Sequence, residues 1–179
     1  MKRMTWEIRA EAVLAFALIY FFDGSGIVSA AVPAVLVHEL GHCLALWLCG
    51  RHLRRVTVSL SGIELDYSGV LEGIEAILCI AAGPAFGLLY ALAVSVIGGR
   101  FAELSGALSF ALTAFNLLPV LPLDGGRLLS ALTNPVLAGI VSRGMSIFLL
   151  LSGTALLLRL HLPGPLLMAG WLTVCNFRR

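Results

Sequence analysis

The sequence predicts an all-α polytopic membrane protein of about six transmembrane helices with a small interfacial β-hairpin. Its 179 residues are 59% hydrophobic and 12% charged, with a mean hydropathy of +0.98. Soluble domains carry about 25% charged residues, so this chain cannot cover a water-facing surface in the usual way. The length fits one membrane-embedded domain over residues 1–179. The net charge of +2 gives no indication of a nucleic-acid partner.

Six apolar segments account for most of the chain. They lie at residues 10–22, 26–49, 72–98, 103–118, 135–158 and 162–177. A helix needs about 20 apolar residues to cross the hydrocarbon core, so the short first and fourth segments could be partial or tilted spans. Met1-Lys2-Arg3 resembles the charged start of a signal peptide. Because further spans follow and no cleavage site is clear, we expect a retained first segment.

Basic residues are distributed unevenly between the ends of these segments. If the N-terminus is cytosolic and six spans alternate, Arg100 and Arg159 fall on the far side and Arg143 within a span. The cytosolic side then receives Lys2, Arg3, Arg9, Arg51, Arg54, Arg55, Arg127, Arg178 and Arg179. This asymmetry follows the positive-inside rule. It predicts an integral protein of the bacterial cytoplasmic membrane with both termini in the cytosol.

The polar region between the second and third segments has a hydrophobic period of two. Apolar residues alternate with polar ones on either side of Ser61-Gly62: Val56, Val58 and Leu60 before it, and Ile63, Leu65 and Tyr67 after it. This pattern predicts an amphipathic β-hairpin over residues 51–70, with the turn at Ser61-Gly62, at the cytosolic interface.

Ionisable residues cluster in the middle of the second apolar segment. His38-Glu39-Leu40-Gly41-His42 lies in a run with no other charged residue between Ile27 and Cys49. A charge at the centre of a lipid-exposed helix costs at least ~2.5–3.5 kcal/mol, so such groups normally face a protein interior and serve a function. A purely structural explanation would bury three polar groups within one turn without purpose.

The spacing of these residues is that of a metal-binding helix. Residues four apart differ by about 40° around the helix and by ~6 Å along it, so His38 and His42 can hold one ion. Glu39 lies one position round, where it can act as a general base on water without ligating the metal. Gly41 leaves room for another helix or a substrate. The distance to Cys49 predicts a metal roughly 10–16 Å below the cytosolic boundary, so a cleft must open to the cytosol.

A catalytic zinc site needs a third protein ligand. Cys43 points about 100° away from His42, His52 lies in the hairpin region, and His161 falls on the far side. Asp124 follows the fourth segment on the cytosolic side, after two prolines that prevent a regular helix. Taken alone, Asp124 suits the N-cap of a helix beginning near Gly125. Beside the two histidines, the ligand interpretation is favoured.

Two motifs together resemble the site-2 protease family, the intramembrane zinc metalloproteases also classed as peptidase family M50. HELGH at 38–42 matches the family's HExxH, and NLLPVLPLDGG at 116–126 is similar to its second motif, N-x-x-P-x-P-x-x-D-G. The resemblance covers about 26–130 and implies a three-helix catalytic core. It implies His38, His42 and Asp124 as ligands of one zinc ion, Glu39 as the catalytic base, and Asn116 as a catalytic residue lining the cleft.

The sequence departs from the family pattern at two places. Leu121 stands where the second proline is usual, and Pro122 is displaced by one position. Ala82-Gly83-Pro84 resembles the family's A-G-P stretch, but Gly87 replaces the asparagine often found after it. From the length of the sequence we expect no PDZ or CBS domain. The chain is therefore most similar to the compact branch that resembles the sporulation stage IV protease.

The resemblance implies an intramembrane zinc metalloprotease that hydrolyses peptide bonds within or next to transmembrane segments. The expected partners are a membrane-protein substrate, the lipid bilayer and, as a further possibility, a regulatory membrane protein. The hairpin would offer an edge strand to an unwound substrate, or serve only as an interfacial plug. The alternatives from other classes are a non-proteolytic membrane scaffold or chaperone with a relict metal site, and a metal transporter. The transporter would need ionisable groups along a path through both leaflets, which the outer half of the spans lacks.

Two further sets of residues have simpler explanations. Cys43, Cys49, Cys79 and Cys175 form no CxxC pair and are expected to be small buried hydrophobes. Glu72 and Glu75 start the third segment, where acids complement the helix dipole. The functional alternative for these two acids is recognition of a basic partner.

Overall fold

The computed structural model describes residues 4–59 and 62–177. Seven residues that the sequence analysis uses lie outside the described residues: Met1, Lys2, Arg3, Leu60, Ser61, Arg178 and Arg179. The elements are β1 (Thr5–Ile8), α1 (Ala10–Phe22), α2 (Ile27–Leu48), β2 (Leu53–Ser59), β3 (Gly62–Tyr67), α3 (Gly73–Ser95), α4 (Arg100–Asn116), α5 (Asp124–Leu132), α6 (Pro135–Leu160) and α7 (Gly164–Phe177). The chain divides into two compact units, Met1–Thr113 and Ala114–Arg179.

The six predicted apolar segments are all helical, and three of the helices are long enough to cross a membrane. These are α2, α3 and α6, with 22, 23 and 26 residues. Helices α1 and α7 are apolar but have 13 and 14 residues, about 20 Å of helix each, which is short of the ~30 Å core. The mostly helical membrane architecture is therefore confirmed. The count of six spans is not, because helix length supports three among the described residues.

The surface of the first unit agrees with a lipid environment. Every residue of α1 is described and none is buried, although the helix is almost wholly apolar. Phe21 is 81% exposed. A water-soluble protein does not normally present such a continuous apolar surface.

Asp23 caps the start of α2. Its Oδ2 accepts a hydrogen bond from the Val28 backbone N–H at 2.7 Å, and its Oδ1 accepts from the Ser25 hydroxyl at 2.5 Å. These hydrogen bonds lower the pKa of Asp23, and the one from the Ser25 hydroxyl has the largest effect. Gly26 precedes the helix with φ +79°, a conformation that favours glycine. A charged cap thus fixes where the helix carrying the HELGH motif begins.

The predicted hairpin is part of a three-stranded sheet with the order β1-β2-β3. Strands β2 and β3 pair antiparallel with Val56 opposite Leu65, as the period of two predicted. In β3 the polar Glu64 and Asp66 are exposed, while the intervening apolar residues are partly buried. The prediction of two strands was incomplete because β1 pairs parallel to β2, with Trp6 opposite Val56. Strand β2 is consequently central, and β1 and β3 are the edges.

The second unit is organised around a small apolar core and a buried polar network. Val120, Leu123 and Leu172 form the core. Asn176 of α7 donates hydrogen bonds from Nδ2 to Ser142 Oγ at 2.7 Å and to Ser146 Oγ at 2.9 Å, both on α6. Burying these polar groups is acceptable because they satisfy one another. The network holds α6 and α7 in register.

Candidate metal centre

His38 and His42 lie one helical turn apart on α2 and are 3% and 9% exposed. Their Nε2 atoms are 3.3 Å apart, and the two rings are nearly perpendicular at 76°. Two nitrogen ligands at 2.0–2.1 Å from a tetrahedral zinc ion would be separated by about 3.3 Å. The two imidazoles therefore already have the spacing that zinc requires.

The backbone of α3 sets the tautomer of His42. His42 Nδ1 lies 2.8 Å from the carbonyl oxygen of Cys79. Since a carbonyl can only accept, Nδ1 carries the proton and donates it in this hydrogen bond. The lone pair is then on Nε2, the atom that faces His38. A hydrogen bond of this kind is the usual way in which a metal-binding histidine is oriented.

Glycines bring α3 against the histidine helix. A Cβ on Gly83 would collide with the His42 imidazole, coming within 2.7 Å of Cδ2. A Cβ on Gly41 would lie 2.6 Å from the carbonyl oxygen of Ala82 and 2.9 Å from Phe86 Cβ. The space that Gly41 leaves on α2 is therefore used by another helix, one of the two possibilities that the sequence suggested.

Helix α4 fills the space at Gly87, where the family often has asparagine. Ser109 Oγ donates a hydrogen bond to the Gly87 carbonyl at 2.8 Å. A Cβ on Gly87 would collide with the Thr113 hydroxyl and lie 3.7 Å from His38 Nδ1. Thr113 and Ser109 are fully buried. This departure from the family pattern is compensated by packing of α4.

Glu39 follows His38 on α2 and is partly exposed. The imidazoles on either side of it in the motif are buried. Partial exposure suits a base that must exchange protons with water, whereas a buried position suits a ligand. Glu39 and the two histidines thus lie in different environments within one motif.

Asp124 lies in the second unit as the first residue of α5 and is 6% exposed. The N-cap of α5 is Leu123, so the alternative that Asp124 is the N-cap does not hold. Arg127 Nη1 lies 3.6 Å from Asp124 Oδ1. A carboxylate at this position interacts favourably with both the cation and the helix N-terminus.

The segment before Asp124 is non-helical, as its prolines predicted. Gly125 and Gly126 let α5 pack on its backbone, because a Cβ on either would collide with carbonyl groups of Leu117 or Val120. These glycines therefore act in packing. Asn116 is the last residue of α4 and is partly buried.

Ser142 of α6 holds this segment, and the sequence analysis missed it. The Leu121 backbone N–H donates to Ser142 Oγ at 2.8 Å, and Asn176 donates to the same atom. A lone serine in an apolar run resembles many inert ones. The signal that would have marked it is the second polar residue, Asn176, in the following apolar helix.

Ser142→Ala is expected to lower the free energy of unfolding by about 1–3 kcal/mol, because two buried donors lose their acceptor. It should also loosen the segment that carries Asp124. Thermal unfolding in detergent measures the first effect. Thr154→Ala is the matched control, since Thr154 is exposed on the same helix and bonds only its own helix backbone in the described structure. Equal stability of the two variants would contradict the assigned role of Ser142.

Comparison with known proteins identifies the class of this fold. The structure is similar to "Site-2 Protease from Methanocaldococcus jannaschii", with a TM-score of 0.72 over 99% of this chain and 91% of that one, at 17% identity. The chain thus has the fold of that site-2 protease. Residues 99–160 match the family model described as Peptidase family M50.

Curated relatives lead to the same family. The chain is 32% identical over 110 residues to "Putative zinc metalloprotease sll0528" of Synechocystis, covering 55% of this chain and 29% of the relative. It is 33% identical over 128 residues to "Putative zinc metalloprotease Rip3" of Mycobacterium tuberculosis, covering 64% and 33%. The chain therefore spans about a third of the length of these relatives. The predicted resemblance to the M50, or site-2 protease, family is confirmed, and zinc is supported as the cofactor.

Proposed function

We propose that this protein is an intramembrane zinc metalloprotease that cuts membrane proteins within or next to their transmembrane segments. The observation that carries the proposal is the pair of Nε2 atoms 3.3 Å apart on a 22-residue apolar helix, with Glu39 inside the same motif. Two histidines at metal-ligand spacing inside a membrane-spanning helix are costly to bury and are not needed for the stability of the helix. The match to the M50 family model supports a proteolytic use of it.

The proposed ligands of one zinc ion are His38, His42 and Asp124. Two neutral imidazoles and a carboxylate are a donor set that zinc accepts, and they leave one position open for catalysis. The tautomer of His42 and the burial of Asp124 support this assignment. The second M50-like motif, which contains Asp124, supports the third ligand.

The proposed catalytic base is Glu39. Zinc, when bound, would polarise the scissile carbonyl and make water more acidic. Glu39 takes the proton from that water and passes it to the nitrogen of the leaving amine, so that the peptide bond breaks without a free amide anion. Asn116 is proposed to line the cleft and to hold the substrate or the developing oxyanion through its side-chain amide.

The proposed location is a bacterial cytoplasmic membrane, with the site opening to the cytosol. Arg51, Arg54 and Arg55 follow the end of α2 directly, and Arg9 joins β1 to α1 near the same sheet, with its N–H bonded to the Val58 carbonyl. Arg100 begins α4, beyond the other end of α3. This distribution within the first unit supports the orientation that the positive-inside rule gives.

The proposed substrate is a transmembrane segment that unwinds near the cut. A helix hides its carbonyls in internal hydrogen bonds, so an extended form must be held in place for attack. The outer edge of β3 pairs with no strand among residues 4–59 and 62–177, and it can accept such a peptide by strand addition. If the sheet is only an interfacial plug, Pro substitutions on this edge will leave cleavage unchanged.

Metal removal tests the proposed function. Incubation of purified protein with 1,10-phenanthroline should abolish cleavage of a tagged single-span reporter whose span carries helix-breaking Gly-Pro residues, because no residue of the chain can replace the metal. Added Zn²⁺ should restore it. Zinc content by mass spectrometry should approach one ion per chain. Full cleavage by metal-free protein would overturn the proposal.

A further inference from the structure

Two cysteines meet at the end of α2 that carries the basic residues. Cys79 Sγ on α3 donates a hydrogen bond to Cys49 Sγ at 3.7 Å, and Cys49 is the C-cap residue of α2. Cys79 is 3% exposed, and Cys49 is only partly buried. Both thiols are free. The explanation of these cysteines as isolated small hydrophobes does not predict such a contact.

An ion pair joins the same two segments beside the thiols. Arg51 Nη2 donates to Glu75 Oε2 at 2.6 Å, and this hydrogen bond raises the pKa of Arg51. Arg51 is two residues after Cys49, and Glu75 is one helical turn before Cys79. The ion pair holds the ends of α2 and α3 together and so keeps the sulfurs in contact. It also gives Glu75 a partner within the chain.

We propose that Cys49 and Cys79 are a reversible redox site that closes to a disulfide when a peroxide oxidises it. The Cys49 thiolate attacks a peroxide oxygen, giving the sulfenic acid and, with hydrogen peroxide, water. Cys79 then attacks the Cys49 sulfur and displaces a second water. The two thiols lose two electrons in all, and the peroxide gains them.

The geometry favours this order of events. A disulfide bond is 2.03–2.05 Å long, so the sulfurs must approach by about 1.7 Å from their present separation. Cys49 lines an apolar groove of about 340 Å³ between α2 and α3, which also includes Leu48 and Leu78. A small neutral peroxide can enter such a groove, whereas a charged oxidant such as glutathione disulfide is excluded. The buried Cys79 is then the resolving thiol.

The redox site is linked to the metal centre through one residue. The carbonyl of Cys79 accepts the hydrogen bond that orients His42, at 2.8 Å. Drawing Cys79 towards Cys49 alters this bond, and losing such a partner typically costs 10–100-fold in metal affinity or activity. Oxidation would therefore weaken zinc binding. This second step rests on the proposed function, whereas formation of the disulfide does not.

Thiol counting on the purified full chain tests the redox site. After treatment with hydrogen peroxide, the wild type should lose two alkylatable thiols, and peptide mapping should identify a Cys49–Cys79 disulfide that dithiothreitol reverses. In the Cys79→Ser variant, oxidation should stop at a sulfenic acid on Cys49 that reacts with dimedone. The Cys49→Ser variant should keep its remaining thiols. The Cys175→Ser variant, which lacks a cysteine of α7, should still form the disulfide. A disulfide between other cysteines, or equal oxidation of Cys49→Ser and the wild type, would overturn the proposal.

Zinc retention tests the link. The oxidised protein should lose zinc to a competing chelator at a concentration 10–100-fold lower than the reduced protein requires. If the disulfide forms and zinc retention is unchanged, the link is refuted and the redox site stands. If neither form binds zinc, the proposed function fails, while the thiol count still decides on the redox site.

Discussion

Glu39→Gln is expected to reduce cleavage by at least about 100-fold while zinc remains bound, because general-base catalysis contributes about 10²–10⁴ in rate. The amide has nearly the same shape as the carboxylate and cannot accept the proton from water. Glu39 is not among the proposed ligands, so the metal content should match that of the wild type. The measurement is the rate of cleavage of the Gly-Pro reporter, with zinc content determined on the same preparation.

Glu103→Gln is the matched control for this variant. Glu103 is exposed in the first turn of α4, and its neutralisation changes the net charge by the same amount. It should cleave the reporter at the wild-type rate. If Glu39→Gln also cleaves at that rate, the protease mechanism is wrong, and a scaffold or chaperone with a relict metal site becomes the better explanation.

Gly83→Ala is expected to weaken zinc binding by at least about 10-fold. The new methyl group would collide with the His42 ring, so either the imidazole or α3 must move. If α3 moves away instead, the close packing of the Ala82 carbonyl on Gly41 is lost. Overpacking of this kind costs about 1–3 kcal/mol, and a displaced imidazole no longer has its Nε2 beside that of His38. Chelator competition measures zinc affinity, and thermal unfolding measures stability.

Gly144→Ala separates this effect from the general effect of alanine on a helix. Gly144 lies within α6, and no atom is within 4 Å of the place where its Cβ would be. Alanine there should raise stability by about 0.5–1 kcal/mol, because it lowers the entropy of the unfolded chain. Gly83→Ala with wild-type zinc affinity would contradict the tight packing of α3 on His42.

Sequence alone predicted the helices well because apolar length is itself the signal for a membrane segment. The predicted first segment, 10–22, coincides with α1, and the second, 26–49, differs from α2 by one residue at each end. Strand β1 was missed for a physical reason. It has four residues, too few for a recognisable period, and its pairing with β2 joins positions about 50 residues apart.

The sequence marks the side chains of the proposed metal centre, but not the backbone groups that orient them. His38 and His42 are recognisable because imidazole at a spacing of four residues has one obvious use. The acceptor that orients His42 is the carbonyl of Cys79, and every residue has a carbonyl, so no sequence pattern marks it. Gly83 was noticed as part of a family motif, but its contact with the imidazole required coordinates.

The glycine contacts between α2 and α3 also decide how a substrate can approach. With Gly41 against the Ala82 carbonyl and Gly83 against the His42 ring, an extended chain cannot pass between the two helices at these contacts. A peptide must reach the histidines from a face of α2 that α3 does not cover. At the level of these contacts, the α2–α3 pair therefore forms a closed wall beside the path of the substrate.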